Sequence, residues 1–209
     1  HIAIWTRHRD RLLQAIATSA DLRILDGYAP DGAPTARGVR LSNRTFLDIH
    51  QIADVRDAAA PTFHRLLALS GDIDDIERRA AAVGLRSKAI RRRDSPQPEM
   101  EAPWDILAFR KGQGVASEMF AIAYHEGVAT PAAYAQPLYD PAGPASGDAR
   151  LARVWLPCET PAEAGAFFAA LGATATGAVT SPVSPYAGVG FAFGSVELIL
   201  SPPWGEPGA

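Results

Sequence analysis

Cysteine is nearly absent from this chain: Cys158 is the only one in 209 residues. No internal disulfide and no Cys-pair metal motif can form, which fits a reducing compartment and a cytoplasmic location. Long hydrophobic runs are missing too. No stretch approaches the roughly 20 apolar residues of a membrane-spanning helix, and no basic start followed by an apolar run reads as a secretory signal. Because the chain opens on His1 rather than Met, the natural start is expected upstream. Neither sign of charge dominates: 20 basic and 23 acidic residues are interspersed, for a net charge of -3. Nothing resembles the positive face by which a nucleic-acid binder displaces counterions, so nucleic acid and membrane are excluded as expected partners. There is also no Gly-rich phosphate loop and no nucleophile elbow, and no catalytic residue is identified.

What is present is a core-forming composition, 47% hydrophobic, arranged in a recurring order. Residues 1–6 read as a strand, and Asp10 to Ala20 as a helix in which Leu12, Leu13 and Ile16 recur at helical spacing. Leu22 to Leu25, Ala36 to Leu41 and Thr45 to Gln51 follow as strands separated by turn-forming Gly, Pro, Asp and Asn. The order then repeats. Leu66 to Leu69 is a strand and Asp72 to Leu85 a helix, with Asp72 as N-cap and Gly84 as its stop. Ser87 to Arg91, Trp104 to Arg110 and Glu118 to His125 are its three strands.

A Pro/Ala/Gly-rich linker is expected over 128–149, and a third block over 150–202. In that block Leu151 to Leu156 reads as a strand and Pro161 to Leu171 as a helix, with strands at Gly188 to Phe193 and Ser195 to Leu200. The expectation is an α+β fold of repeated βαβββ modules with mixed or antiparallel curved sheets: paired modules over 1–127 (1–51 and 62–126), the linker, and a third, shortened module. Phe167, Phe168, Leu171, Val154, Phe191, Phe193 and Leu198 make the third module too apolar to stand in water. It must pack against the first two or form a two-fold homodimer.

Four segments carry a family resemblance: RTFLDIHQ, LLALSGDIDDIERRAAAVGL, MFAIAYHEG and GSVELIL, within about residues 1–200. They resemble the glyoxalase-like domain family of the vicinal oxygen chelate superfamily, which includes glyoxalases, bleomycin-resistance proteins and dioxygenases. The resemblance implies that paired modules curve into a cup whose inner face often holds a divalent metal between two histidines and two glutamates. Fold alone does not fix activity.

Strand alternation tests that ligand set. His1, Ala3 and Trp5 share one face against Ile2 and Ile4, and Phe46, Asp48 and His50 share one against Leu47 and Ile49. The aliphatic faces belong under the helices, which sends His1 and Asp48 to the cup, where imidazole and carboxylate suit Zn, Mn, Fe or Ni. Asp48 stands where the family has a longer glutamate. In the second module His64 or Arg65, depending on a one-residue slip, matches His1, while Ala123 matches Asp48 and His125 matches His50. In the third, Glu197 matches the carboxylate and Leu151 the histidine. The candidate metal ligands are thus His1, Asp48 and His64, and the candidate substrate contacts are Trp5, His50, Trp104, Arg110, Tyr124 and His125.

Two functions follow. One is a metal-dependent lyase, isomerase or dioxygenase acting on a small oxygen-rich substrate, which needs at least three ligands. The other is a metal-free small-molecule binding or drug-sequestering protein, which tolerates Ala123.

Overall fold

The computed structural model describes residues 1–52, 63–182 and 187–203, and the side chains of 63–65 lie outside that description. The first block runs β1 (Ile2–Thr6), α1 (Arg9–Ala20), β2 (Leu25–Asp26), β3 (Ala36–Arg40) and β4 (Phe46–Gln51). The second runs β5 (Phe63–Ser70), α2 (Ile73–Ala82), β6 (Ser87–Ile90), β7 (Trp104–Phe109) and β8 (Met119–Tyr124). The third runs β9 (Arg153–Pro157), α3 (Pro161–Ala170), β10 (Thr174–Thr180), β11 (Ala187–Phe193) and β12 (Val196–Ser201).

Helix α2 begins where Asp72 accepts hydrogen bonds from the Asp74 and Asp75 amides, and the chain leaves it through Gly84 at φ +80°. Strand β2 is shorter than expected. Asp21 adopts φ 51° and the Leu22 amide bonds the Ala17 carbonyl, so Leu22 closes α1 rather than starting a strand. Strand β10, TATGAVT, lies almost wholly at the surface and therefore shows none of the apolar alternation that would betray a strand. With it the third block holds a strand, a helix and three more strands.

The first two blocks join in one eight-stranded sheet, β2-β3-β4-β1-β5-β8-β7-β6, and the third forms a four-stranded sheet, β10-β11-β12-β9. In every block the first strand pairs parallel with the fourth, β1 with β4, β5 with β8 and β9 with β12, and the remaining pairs are antiparallel. The fold class is α+β with mixed sheets. Strands β1 and β5 meet antiparallel, Ala3 opposite Leu66, at a seam that joins the two halves.

On one face of the large sheet α1 covers β3 and β4, while α2 covers β6, β7 and β8. The core beneath α2 continues into the third block: Leu67, Ile73, Leu107 and Met119 share it with Phe167, Phe168, Phe191 and Leu198. The apolar residues that raised the expectation of a homodimer are therefore packed within the chain, Phe168 completely. Burial no longer requires a second copy. Among the described residues no helix is long and apolar enough to cross a membrane.

The Pro/Ala/Gly-rich linker segment lies as a strap across the opposite face of the large sheet. Leu138 on it is fully buried, its amide donates to the Asp26 carbonyl, and the Ser146 amide donates to Arg40. The strap can lie this close because Gly38 in β3 has no side chain: a Cβ there would stand 1.8 Å from the Leu47 carbonyl oxygen and 2.9 Å from Leu138 Cδ2.

Candidate functional site: a half-polar, half-apolar face under the strap

The β1–β4 register, Ala3 with Asp48 and Trp5 with His50, builds the first half of this face. The imidazole of His50 stacks on Trp5 at 5.1 Å, and its Nε2 lies 3.2 Å from Asp48 Oδ2. Asp48 is only 6% exposed. The same Oδ2 accepts a 3.1 Å hydrogen bond from the Tyr139 hydroxyl of the strap, which in turn accepts one from the Tyr28 amide at 3.2 Å. Asp48 Oδ1 is buried with no partner among the described residues. Burial, reinforced by the Asp48 charge, pushes the Tyr139 phenol above its ordinary pKa, so this hydroxyl is a committed donor.

His1 stacks on Phe46 at 4.3 Å, meets Phe120 edge-on at 5.6 Å, and places Nδ1 3.3 Å from the Tyr124 hydroxyl. Ile2 and Ile4 pack on the helix side. On the strap face Arg40, 7% exposed, projects from β3 beside Phe46 and donates to the strap carbonyls of Leu138 (2.9 Å) and Pro141 (3.4 Å). Carbonyl dipoles thus solvate a buried guanidinium that has no ion pair among the described residues.

The second half of the face is apolar. Phe120 and Ile122 pack with Leu66, Ala68, Trp104 and Ile106. The equation of Ala123 with Asp48 was one residue out of phase: Ala123 packs into the core on the helix side, and the strap side of β8 carries Phe120, Ile122 and Tyr124. By register Ala3 pairs with Asp48 and Ala68 with Phe120, so the counterpart of the carboxylate across the seam is a phenyl ring.

Two other candidates fall elsewhere, and the side chain of a third is not described. His125 follows the end of β8 on the helix side, where its Nε2 lies 3.0 Å from Asp105 Oδ1, so it is not on the strap face. Burial alone would raise the pKa of Asp105, but hydrogen bonds from His125 and the Arg92 amide, with the charges of His125 and Arg91, outweigh it and hold the carboxyl below its usual value. Arg110 is exposed and borders Arg86, Lys111 and Glu77 beside α2. The His64 side chain lies outside the described residues; its backbone pairs with Trp5. Trp104 is on the strap face, edge-on to Tyr139 at 5.6 Å and Tyr134 at 5.0 Å. Sequence reasoning missed Arg40, Tyr28, Tyr134, Leu138 and Tyr139. The signal was the strap's own composition, since AAYAQPLYD carries a leucine and two tyrosines that a solvated linker has no use for.

The donors among the described residues do not make up a metal site between the modules. Among the described residues no three His, Cys, Asp or Glu side chains converge. One oxygen of Asp48 is engaged by Tyr139 and His50, and the described side chains of Phe120, Ile122 and Ile106 in the facing half ligate nothing.

No family model and no curated protein matches the chain. Solved structures do. A triple mutant of 4-hydroxymandelate synthase from Streptomyces coelicolor superposes at TM-score 0.60 and 15% identity, covering 97% of this chain and 62% of that one. The 2,3-dioxygenase LapB from Pseudomonas sp. KL28 gives 0.51 at 13%, covering 98% and 70%. Glyoxalase I from Zea mays gives 0.45 at 14%, covering 97% and 66%. The chain therefore spans about two thirds of the length of the structures it resembles. At these identities the likeness shows the fold alone: the α+β architecture of repeated strand–helix–three-strand blocks is shared with the 4-hydroxymandelate synthase and LapB structures.

Proposed function

We propose that the protein binds a small organic molecule on the strap-covered face without a metal, the sequestering alternative rather than the metal-dependent lyase or dioxygenase. The observation that carries this reading is the division of the face: Asp48, His50 and Arg40 on one side of the seam, Phe120, Ile122 and Trp104 on the other. A chelated ion needs at least three converging donors, and no such group is found among the described residues. An organic ligand needs one polar anchor and an apolar wall, and the face carries both.

Asp48 Oδ1 is the open acceptor, so the ligand carries a hydroxyl or N–H donor on an apolar body, and it enters where the Tyr139 ring now lies against Phe46 and Trp104. Entry displaces the Tyr139 hydroxyl from Oδ2, and the ligand donates to Oδ1. The neighbouring structures include a synthase and a dioxygenase, but their activities stay with those proteins.

A fragment screen read by Trp104 fluorescence and by chemical shifts tests this. Saturable binders should perturb Trp104 and lose at least about tenfold in affinity in Asp48→Asn, the worth of one hydrogen bond to a charged group. Binders whose affinity ignores both Asp48→Asn and Phe120→Ala would move the site elsewhere.

A further inference from the structure

A cavity of about 440 Å³ lies on the other side of the large sheet from the strap, between the β1–β5 seam and the third block. It exists because α1 and α2 each cover their own half and neither covers the seam. The four-stranded sheet roofs the gap instead, without filling it. Ile2, Leu69 and Ile76 below and Val154, Phe193 and Val196 above remain only partly buried, although Leu67 and Leu198 between them are closed off.

The mouth of this cavity is a built rim. Asn43 Nδ2 donates to the Leu151 carbonyl at 2.9 Å and to Ser195 Oγ at 3.1 Å, and the Leu151 amide donates back to Asn43 Oδ1 at 3.3 Å, tying the first block to the third. Thr45 Oγ1 donates to the same Asn43 Oδ1 at 2.8 Å. In the turn so held, Arg44 sits at φ +61°, exposed. It is the one Lys, Arg, Asp or Glu along the lining and makes no ion pair among the described residues.

We propose that this cavity is a binding site for an aliphatic carboxylate, a medium-chain fatty acid or a molecule of that chemistry, with the chain between the two sheets and the carboxylate on Arg44. The volume falls within the roughly 300–1,000 Å³ of small-molecule sites, which form preferentially where structural units meet. The lining is mainly apolar, with His1, Thr45, Ser70 and Ser195 among it and Arg44 its one Lys or Arg, which matches an apolar tail with one anionic end, and a guanidinium binds a carboxylate through paired N–H donors. A cationic amphiphile of equal length meets the same walls but is repelled at the rim. The site is separate from the strap face and does not depend on the function proposed for it.

Calorimetry with decanoate and with decyltrimethylammonium decides the matter. The wild-type chain should bind one decanoate, at least about tenfold more tightly than the ammonium compound. Asn and Asp are both at home at positive φ, so Arg44→Asn and Arg44→Asp leave the turn intact. The first should abolish the preference and the second reverse it. Val196→Trp, which fills the cavity, should remove decanoate binding, while Asp48→Asn on the other face leaves it unchanged. Absence of saturable decanoate binding, or a preference unaltered in both Arg44 variants, would overturn the proposal even if Val196→Trp fails to fold. A loss of decanoate binding in Asp48→Asn would do the same, since it would place the fatty acid under the strap.

Discussion

The Tyr139 hydroxyl donates a 3.1 Å hydrogen bond to Asp48 Oδ2 across 91 residues of sequence, binding the strap to a carboxylate that is only 6% exposed. The strap is thereby part of the folded face, not a tether between folded parts. Tyr139→Phe keeps the ring and removes the bond, so it should cost about 1.5–3 kcal/mol, the worth of a hydrogen bond to a charged group. Urea unfolding measures it. Adding Asp48→Asn to the Tyr139→Phe variant should cost less than Asp48→Asn alone, because the two side chains act as a pair. Strict additivity would show that they do not.

The same phenol makes a pH prediction. Its folded pKa is raised, so its contribution is fully present below the unfolded value of about 10 and is lost as pH rises beyond it, when the unfolded chain ionises and the folded one does not. Unfolding midpoints between pH 9 and 11 should fall more steeply in the wild type than in Tyr139→Phe, on the order of one ionisation's difference. Parallel curves would contradict the burial of this hydroxyl.

Asp105 behaves in the opposite sense. Its folded pKa is depressed, so its contribution is present above the unfolded value of about 4 and is lost as pH falls through the folded one. Asp105→Asn should flatten the acid limb of the stability profile. It should leave ligand binding on the strap face unchanged, since His125 and Asp105 stand on the other side of the sheet. An effect on affinity as large as that of Asp48→Asn would reverse this assignment.

Gly38→Ala tests the close approach of the strap. The added methyl group meets the Leu47 carbonyl and Leu138, and overpacking of this kind costs at least about 1–3 kcal/mol. Because the strap can lift more easily than β4 can move, limited proteolysis should cut within residues 131–147 sooner in the variant. Unchanged cleavage would show that the sheet, not the strap, absorbs the clash.

The third block's packing predicts a stability independent of chain concentration. Phe168→Ala should cost about 3–5 kcal/mol, because the ring is fully buried among Phe167, Phe191 and Phe193. A midpoint that rises with concentration would instead restore the homodimer that the apolar composition first suggested.

Much of this architecture was legible because each block alternates strictly where it is half-buried. Ile2 and Ile4 against His1 and Trp5, and Leu47 and Ile49 against Asp48 and His50, declare two faces, and Asp72 and Gly84 bracket α2 by local chemistry. The second half of the site was not legible, because β8 reads MFAIAY with apolar residues on both faces. Nothing in such a strand fixes its phase, and the one-residue slip that favoured Ala123 followed. Arg40 was hidden for another reason. A buried arginine is recognised by its partners, and here those are strap carbonyls about 100 residues away.

The central claim is that this face binds an organic ligand without a metal, and metal content tests it most directly. Untagged protein dialysed against Zn²⁺, Mn²⁺, Fe²⁺ and Ni²⁺ in turn should retain no stoichiometric metal, and Asp48→Ala should not change the amount retained. One equivalent held by the wild type and lost in Asp48→Ala would contradict the account and return the face to metal-dependent chemistry.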